Sequence, residues 1–161
     1  MADYLRYYKP AQLPLDARNE LMDDFKGIIR TGRYTGGEHA VVLRQRMQEL
    51  TGYEYAIPVG QATHALMLLA RWYKLQGYVR ARVPEFTWPS TYKAFAWAGF
   101  KIDWVDIDPE TWLPEFSDHR TSNTLNVPVD TFGNVWHREP ERVVDSAQSL
   151  GATWPDLEPD R

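Results

Sequence analysis

From Glu54 onward the chain alternates short β-branched or apolar runs with helical patterns, and this alternation constrains the fold more than any other feature. Tyr55-Ala56-Ile57-Pro58-Val59 reads as a short buried strand, and 62–76 as a strongly apolar helix closed by Gly77. Further strands are expected over 79–86, 101–107, 124–129 and 142–145. Between the first two of these, Pro89 suits the first turn of a helix that runs to Gly99. Strands separated by helical patterns define an α/β domain with a mainly parallel sheet and helices packed on it. One connection breaks the rhythm. Only the residues 133–141 lie between Phe132 and Arg142, and a crossover between parallel strands usually takes a dozen residues or more. Either that crossover has lost its helix, or the two strands are not paired in the usual way. The polar 109–123 connection reads as irregular.

Ahead of the alternation, residues 1–14 are aromatic and punctuated by Pro10 and Pro14, and read as an N-terminal arm. The remainder, 15–161, is expected to form one domain, since 161 residues support a single real core and not two comfortable ones. Asp16 is placed to cap a helix over 17–31, whose apolar residues Leu21, Phe25, Ile28 and Ile29 recur at helical spacing. A second helix is expected over 38–51, with Val42, Leu43, Met47 and Leu50 on one face and Gly52 just past its end.

Composition narrows the function classes. Hydrophobic residues make up 43% and aromatics 14%, which disfavours disorder, and seven Trp imply large buried or interfacial aromatic surfaces. The net charge is −4 and no dense Lys/Arg run forms a basic stripe, so nucleic acid and anionic membranes are disfavoured as partners. No Cys is present, which removes disulfides and thiolate metal sites. No apolar stretch reaches membrane-spanning length and the first residues do not resemble a signal peptide, so a soluble cytoplasmic protein is the expectation. The four His show no metal-ligand spacing, and Asp103, Asp106 and Asp108 suit a strand end and turn better than a metal patch.

Three stretches carry chemistry. Val143-Val144-Asp145-Ser146-Ala147-Gln148-Ser149-Leu150-Gly151-Ala152 presents Asp145 and Gln148 at the carboxyl end of a strand, where open α/β sheets bind ligands. Asp145 can pair with a protonated ring nitrogen or cap a helix, and Gln148 can donate to a ring oxygen. Gly60-Gln61-Ala62-Thr63 joins a strand to a helix, which makes it either a phosphate seat or an ordinary helix start. Trp88, in Phe86-Thr87-Trp88, can stack on a planar ligand or fill the core.

Taken together, these stretches resemble the DegT/DnrJ/EryC1/StrS sugar aminotransferases, which have the type I fold of pyridoxal-phosphate enzymes. The resemblance runs from about residue 9 to residue 153, through six blocks in order. They are Lys9-Pro10 with Gly32-Arg33-Tyr34-Thr35-Gly36-Gly37-Glu38, then Ala56 to Leu66, then Val83-Pro84-Glu85-Phe86-Thr87-Trp88. Ala98-Gly99 through Val105-Asp106-Ile107-Asp108, Val127-Pro128-Val129-Asp130-Thr131-Phe132-Gly133 and the decapeptide complete them. The resemblance implies a truncated large domain: a three-layer α/β fold, with helices on both faces of a mainly parallel sheet. It implies that Thr63 and the amides of Gln61 and Ala62 hold the cofactor phosphate. Trp88 then stacks on the pyridine ring, Asp145 pairs with the ring nitrogen, and Gln148 approaches the phenolic oxygen or the phosphate.

Departures from the family pattern qualify the activity. Gly60-Gln61-Ala62 replaces the usual Ser-Ser-Gly, and Asp130 stands where the family often has His. None of Lys9, Lys26, Lys74, Lys93 and Lys101 matches the Schiff-base lysine, so no catalytic residue is assigned in this chain. Four readings follow: one half of a split aminotransferase completed by a second polypeptide; a non-catalytic relic that binds pyridoxal phosphate or a nucleotide sugar, or serves as an assembly or regulatory subunit; a truncated product of an ordinary aminotransferase; or an unrelated α/β binding domain. In each the chain is expected to be an oligomer, and residues 55–59 to be an unpaired edge unless something covers them.

Overall fold

The computed structural model describes residues 12–116, 122–137 and 141–152, so most of the expected arm lies outside the described residues. The chain divides into two compact units, which meet in sequence at Ala56 and Ile57.

The first unit carries two helices, α1 (Leu15–Thr31) and α2 (Glu38–Thr51), and neither has a buried residue. The expected Asp16 cap does not form. Pro14 holds the cap position, with the Arg18 N–H on its carbonyl at 3.0 Å, and Asp16 lies inside the first turn without a side-chain cap bond. There its carboxylate complements the positive helix end instead. Both helices close on a left-handed glycine, Gly32 and Gly52, whose N–H groups bond back to Ile28 and Gln48 at 2.9 Å.

The second unit is the α/β body. Its elements are α3 (Ala62–Leu75), β1 (Arg80–Pro84), α4 (Pro89–Trp97), β2 (Lys101–Val105) and β3 (Thr124–Asn126). The three strands form one parallel sheet in the order β2-β1-β3, so α4 is the crossover between adjacent parallel strands. Alternation along β1 directs Ala81 and Val83 to one face, where both are fully buried with Leu66, Ala70 and Tyr73 of α3 and Ala94 and Phe95 of α4. Leu125, Val127 and Val143 extend that core. The other face of β1 is polar, with the Arg80 Nε–H donating to Asp103 at 2.6 Å and Arg82 over the Phe116 ring.

Residues 55–59 are not a strand, contrary to the sequence reading. Ile57 is 82% exposed, and no described strand offers this stretch a ladder partner. An apolar run without an edge to pair with has nothing to hold it extended. The short connection after Phe132 is a real departure. Val129 and Asp145 form an isolated parallel bridge, and among the described residues between them there is no α-helix, only the 3-10 turn Thr131–Gly133. The strand expected over 142–145 therefore adds to the β3 side of the sheet by one bridge only.

Candidate functional site

That bridge fixes the position of Asp145. Its N–H donates to the Pro128 carbonyl at 2.9 Å and its own carbonyl accepts from the Asp130 N–H at 3.0 Å. The parallel register places the side chain at the carboxyl end of the strands, 9% exposed. One carboxylate oxygen accepts the Thr91 hydroxyl at 2.7 Å and the other accepts the Ala147 N–H at 3.3 Å. A carboxylate has room for about four acceptor contacts, so both oxygens keep capacity for a further donor.

Thr91 is fully buried in the first turn of α4, and its N–H bonds to the carbonyl of Trp88, the helix's cap residue, at 3.1 Å. The Trp88 indole is 76% exposed. Pro89 in the first turn forces the chain out of the strand and into the helix at this point. The structure thus links Trp88 to Asp145 through one turn of α4. Trp88 is not a core tryptophan.

Gln148 belongs to the same end of the sheet. Its Oε1 accepts the Phe132 N–H at 2.7 Å. A backbone N–H can bond only the carbonyl end of the amide, which leaves Nε2 as the end that can donate. Phe132 has φ of 57° and Trp112 has φ of 61°, the two positive-φ residues other than glycine among the described ones. Their rings meet each other at 5.6 Å and Phe86 at 6.1 and 5.2 Å, forming a half-exposed aromatic rim.

Beneath Gln148 lies a residue whose role the sequence did not reveal. Asp130 is 2% exposed, and its carboxylate accepts from the Trp136 N–H at 2.8 Å, the Ser146 hydroxyl at 2.8 Å and the Ser149 hydroxyl at 2.6 Å. This ties the turn that follows Asp145 to the end of the β3 segment.

Gln61, Ala62 and Thr63 lie where α3 begins. Gln61 is the extended cap residue and makes no side-chain cap bond; its amide nitrogen is instead 3.1 Å from the ring of His64. Gln61 and Ala62 are exposed and Thr63 is half-buried. First-turn N–H groups have no intrahelical partner, so the amides at this helix start stay available. The lysines fall elsewhere. Lys26 pairs with Asp23 on α1, Lys93 is exposed on α4, and Lys101 opens β2. The Lys74 ammonium donates to the Gly99 carbonyl at 2.6 Å, just before β2, at the opposite end of the strands from Asp145. Lys9 lies outside the described residues.

Among the described residues no cluster of three His, Asp or Glu could hold a metal ion, and no helix is long and apolar enough to cross a membrane. A cleft of about 770 Å³ in the first unit, lined by residues such as Arg30, Arg33 and His39, contains none of the candidate residues.

The fold is similar to that of solved proteins, some of them captured with pyridoxal phosphate. A GDP-4-keto-6-deoxymannose-3-dehydratase with a trapped PLP-glutamate geminal diamine superposes with a TM-score of 0.75 at 20% identity, over 94% of this chain and 44% of that one. An aminotransferase from Brucella abortus superposes with a TM-score of 0.63 at 24% identity, over 76% of this chain and 36% of that one. The pattern of the DegT/DnrJ/EryC1/StrS aminotransferase family matches residues 15–136, and the chain belongs to that family. The UDP-2-acetamido-2-deoxy-3-oxo-D-glucuronate aminotransferase of Pseudomonas aeruginosa is 29% identical over 141 residues, 79% of this chain. The chain spans 39% of the length of that relative.

Proposed function

We propose that this chain forms the ring-binding part of a pyridoxal-phosphate site of a sugar aminotransferase and works with a second polypeptide that supplies the lysine. The observation that carries the reading is the Asp145 carboxylate, buried at the carboxyl end of the sheet and held by the Thr91 hydroxyl with acceptor capacity to spare. The residues fit the cofactor. Asp145 accepts a ring N–H⁺, the exposed Trp88 indole offers a stacking face, and the Gln148 Nε2 is free to donate to an oxygen. The helix start at Gln61, Ala62 and Thr63 suits a phosphate through backbone N–H groups and the Thr63 hydroxyl. When bound, the cofactor supplies an electron-withdrawing ring for chemistry at the carbon attached to the amine. The chain's own residues keep that ring protonated and oriented. A second chain supplies the amine that moves the proton.

A second reading is a non-catalytic subunit that retains the fold. The phosphate turn favours it, because Gly60-Gln61-Ala62 carries no hydroxyl and the Gln61 amide is turned toward His64. Borohydride reduction of the purified chain with pyridoxal phosphate separates the two, followed by intact mass and peptide mapping, with and without the product of a neighbouring gene. The split enzyme yields a stoichiometric adduct on a lysine of the second polypeptide. Saturable but unreduced binding, lost in Asp145→Ala, identifies the non-catalytic subunit. No specific binding in either condition removes the cofactor from both.

A further inference from the structure

Trp88 and Asp145 belong to different segments, and a ring sandwiched by one and anchored by the other needs their separation fixed. A single side chain joins them. Thr91 is 0% exposed, its N–H is bonded to the Trp88 carbonyl at 3.1 Å, and its hydroxyl is bonded to Asp145 Oδ2 at 2.7 Å. The Thr87 hydroxyl lies 3.3 Å from that of Thr91. An ionised carboxylate can only accept, so the one Thr91 proton goes to Asp145 and Thr87 donates into the Thr91 oxygen. The row Thr87 to Thr91 to Asp145 is thereby oriented toward the carboxylate and holds Oδ2, while Oδ1 accepts the Ala147 N–H at 3.3 Å and keeps acceptor capacity for a ligand.

We infer that Thr91 is a positioning residue for the cofactor ring: its hydroxyl sets the placement of the Asp145 carboxylate relative to the Trp88 indole, through a bond made without touching the ligand. This rests on the cofactor reading above. Valine has nearly the shape of threonine and no hydroxyl, so Thr91→Val leaves the packing and frees Asp145 to rotate. Serine keeps the hydroxyl and loses only a methyl.

The test is titration of the full chain with pyridoxamine 5′-phosphate, which has the ring and phosphate but no aldehyde to react with surface lysines. Affinity is read from ligand fluorescence anisotropy, and ring orientation from the circular dichroism induced in the ligand band. Wild type and Thr91→Ser are expected to bind alike with the same induced band. Thr91→Val is expected to bind about tenfold more weakly, the loss of one charge-assisted hydrogen bond, with a diminished or inverted band. Should Thr91→Val not melt cooperatively, Thr91→Cys replaces it, since a thiol is a poor donor of similar size. Tight binding with an unchanged band in the hydroxyl-free variant overturns the role of Thr91 and leaves the cofactor reading standing. Absence of binding by wild type itself overturns both.

Discussion

At the scale of single residues, Asp130 shows how a buried acid becomes structural. It satisfies three donors: the Trp136 N–H, and the Ser146 and Ser149 hydroxyls of the turn that carries Gln148. Asp130→Ala removes the acceptor of all three, leaving the buried Ser149 hydroxyl without its partner while the exposed Ser146 can turn to water, and is expected to cost about 1–3 kcal/mol of stability, measured by urea unfolding. Asp130→Asn keeps an acceptor oxygen and should cost less. In the sequence this residue is legible only as a departure from the family's His, because its partners follow it by 6 to 19 positions. Tyr73 makes a second residue-scale case. Burial pushes its phenol up, with the Arg142 guanidinium pulling partly the other way. A raised folded-state value means that the folded form holds its proton more tightly. This stability is full below about pH 10, the unfolded phenol's value, and is lost as pH rises through the folded value. Thermal melts of wild type and Tyr73→Phe are therefore expected to converge above that range, with the wild type falling more steeply.

At the scale of elements, α4 links the helical layer to the sheet, since it packs on α3, β1 and β2. Phe95 is its fully buried anchor, edge-on to Phe100 with ring centroids 5.4 Å apart. Phe95→Ala is expected to cost about 3–5 kcal/mol, a transfer loss plus a cavity; a melting temperature within a degree or two of wild type would contradict that placement. The limits of α4 were nearly readable, with Pro89 at its start and Gly99 past its end. So were those of α2, which spans the expected 38–51. Both are set by local chemistry: a proline fits the first turn, and a glycine adopts the left-handed exit. The 55–59 stretch failed for the opposite reason. Its apolar pattern is real, but a strand is a paired object and its pairing depends on another segment.

At the scale of the whole molecule, α3 is apolar on two sides. Leu66, Ala70 and Tyr73 enter the core, while Leu68, Trp72 and Leu75 form a second stripe at the same spacing and are exposed. A helix apolar all round is ordinarily a buried one. The purified chain is thus expected to associate rather than run as a monodisperse monomer in light scattering at micromolar concentration, and Trp72→Lys to raise its monomer fraction. A monodisperse wild-type monomer would refute this. The sequence by itself determined the parallel α/β class, four helices, three of the five expected strands, and the residue types at the sheet's carboxyl end. Periodicity, prolines and glycines act over a few residues, and six ordered blocks identify a family. Only the tertiary structure decided that Thr91 holds Asp145 across 54 positions, that Asp130 fastens the Gln148 turn, and that Trp88 faces outward. Those facts depend on which strands lie side by side, and a hydrogen bond between distant segments exists only once the sheet has brought them within reach.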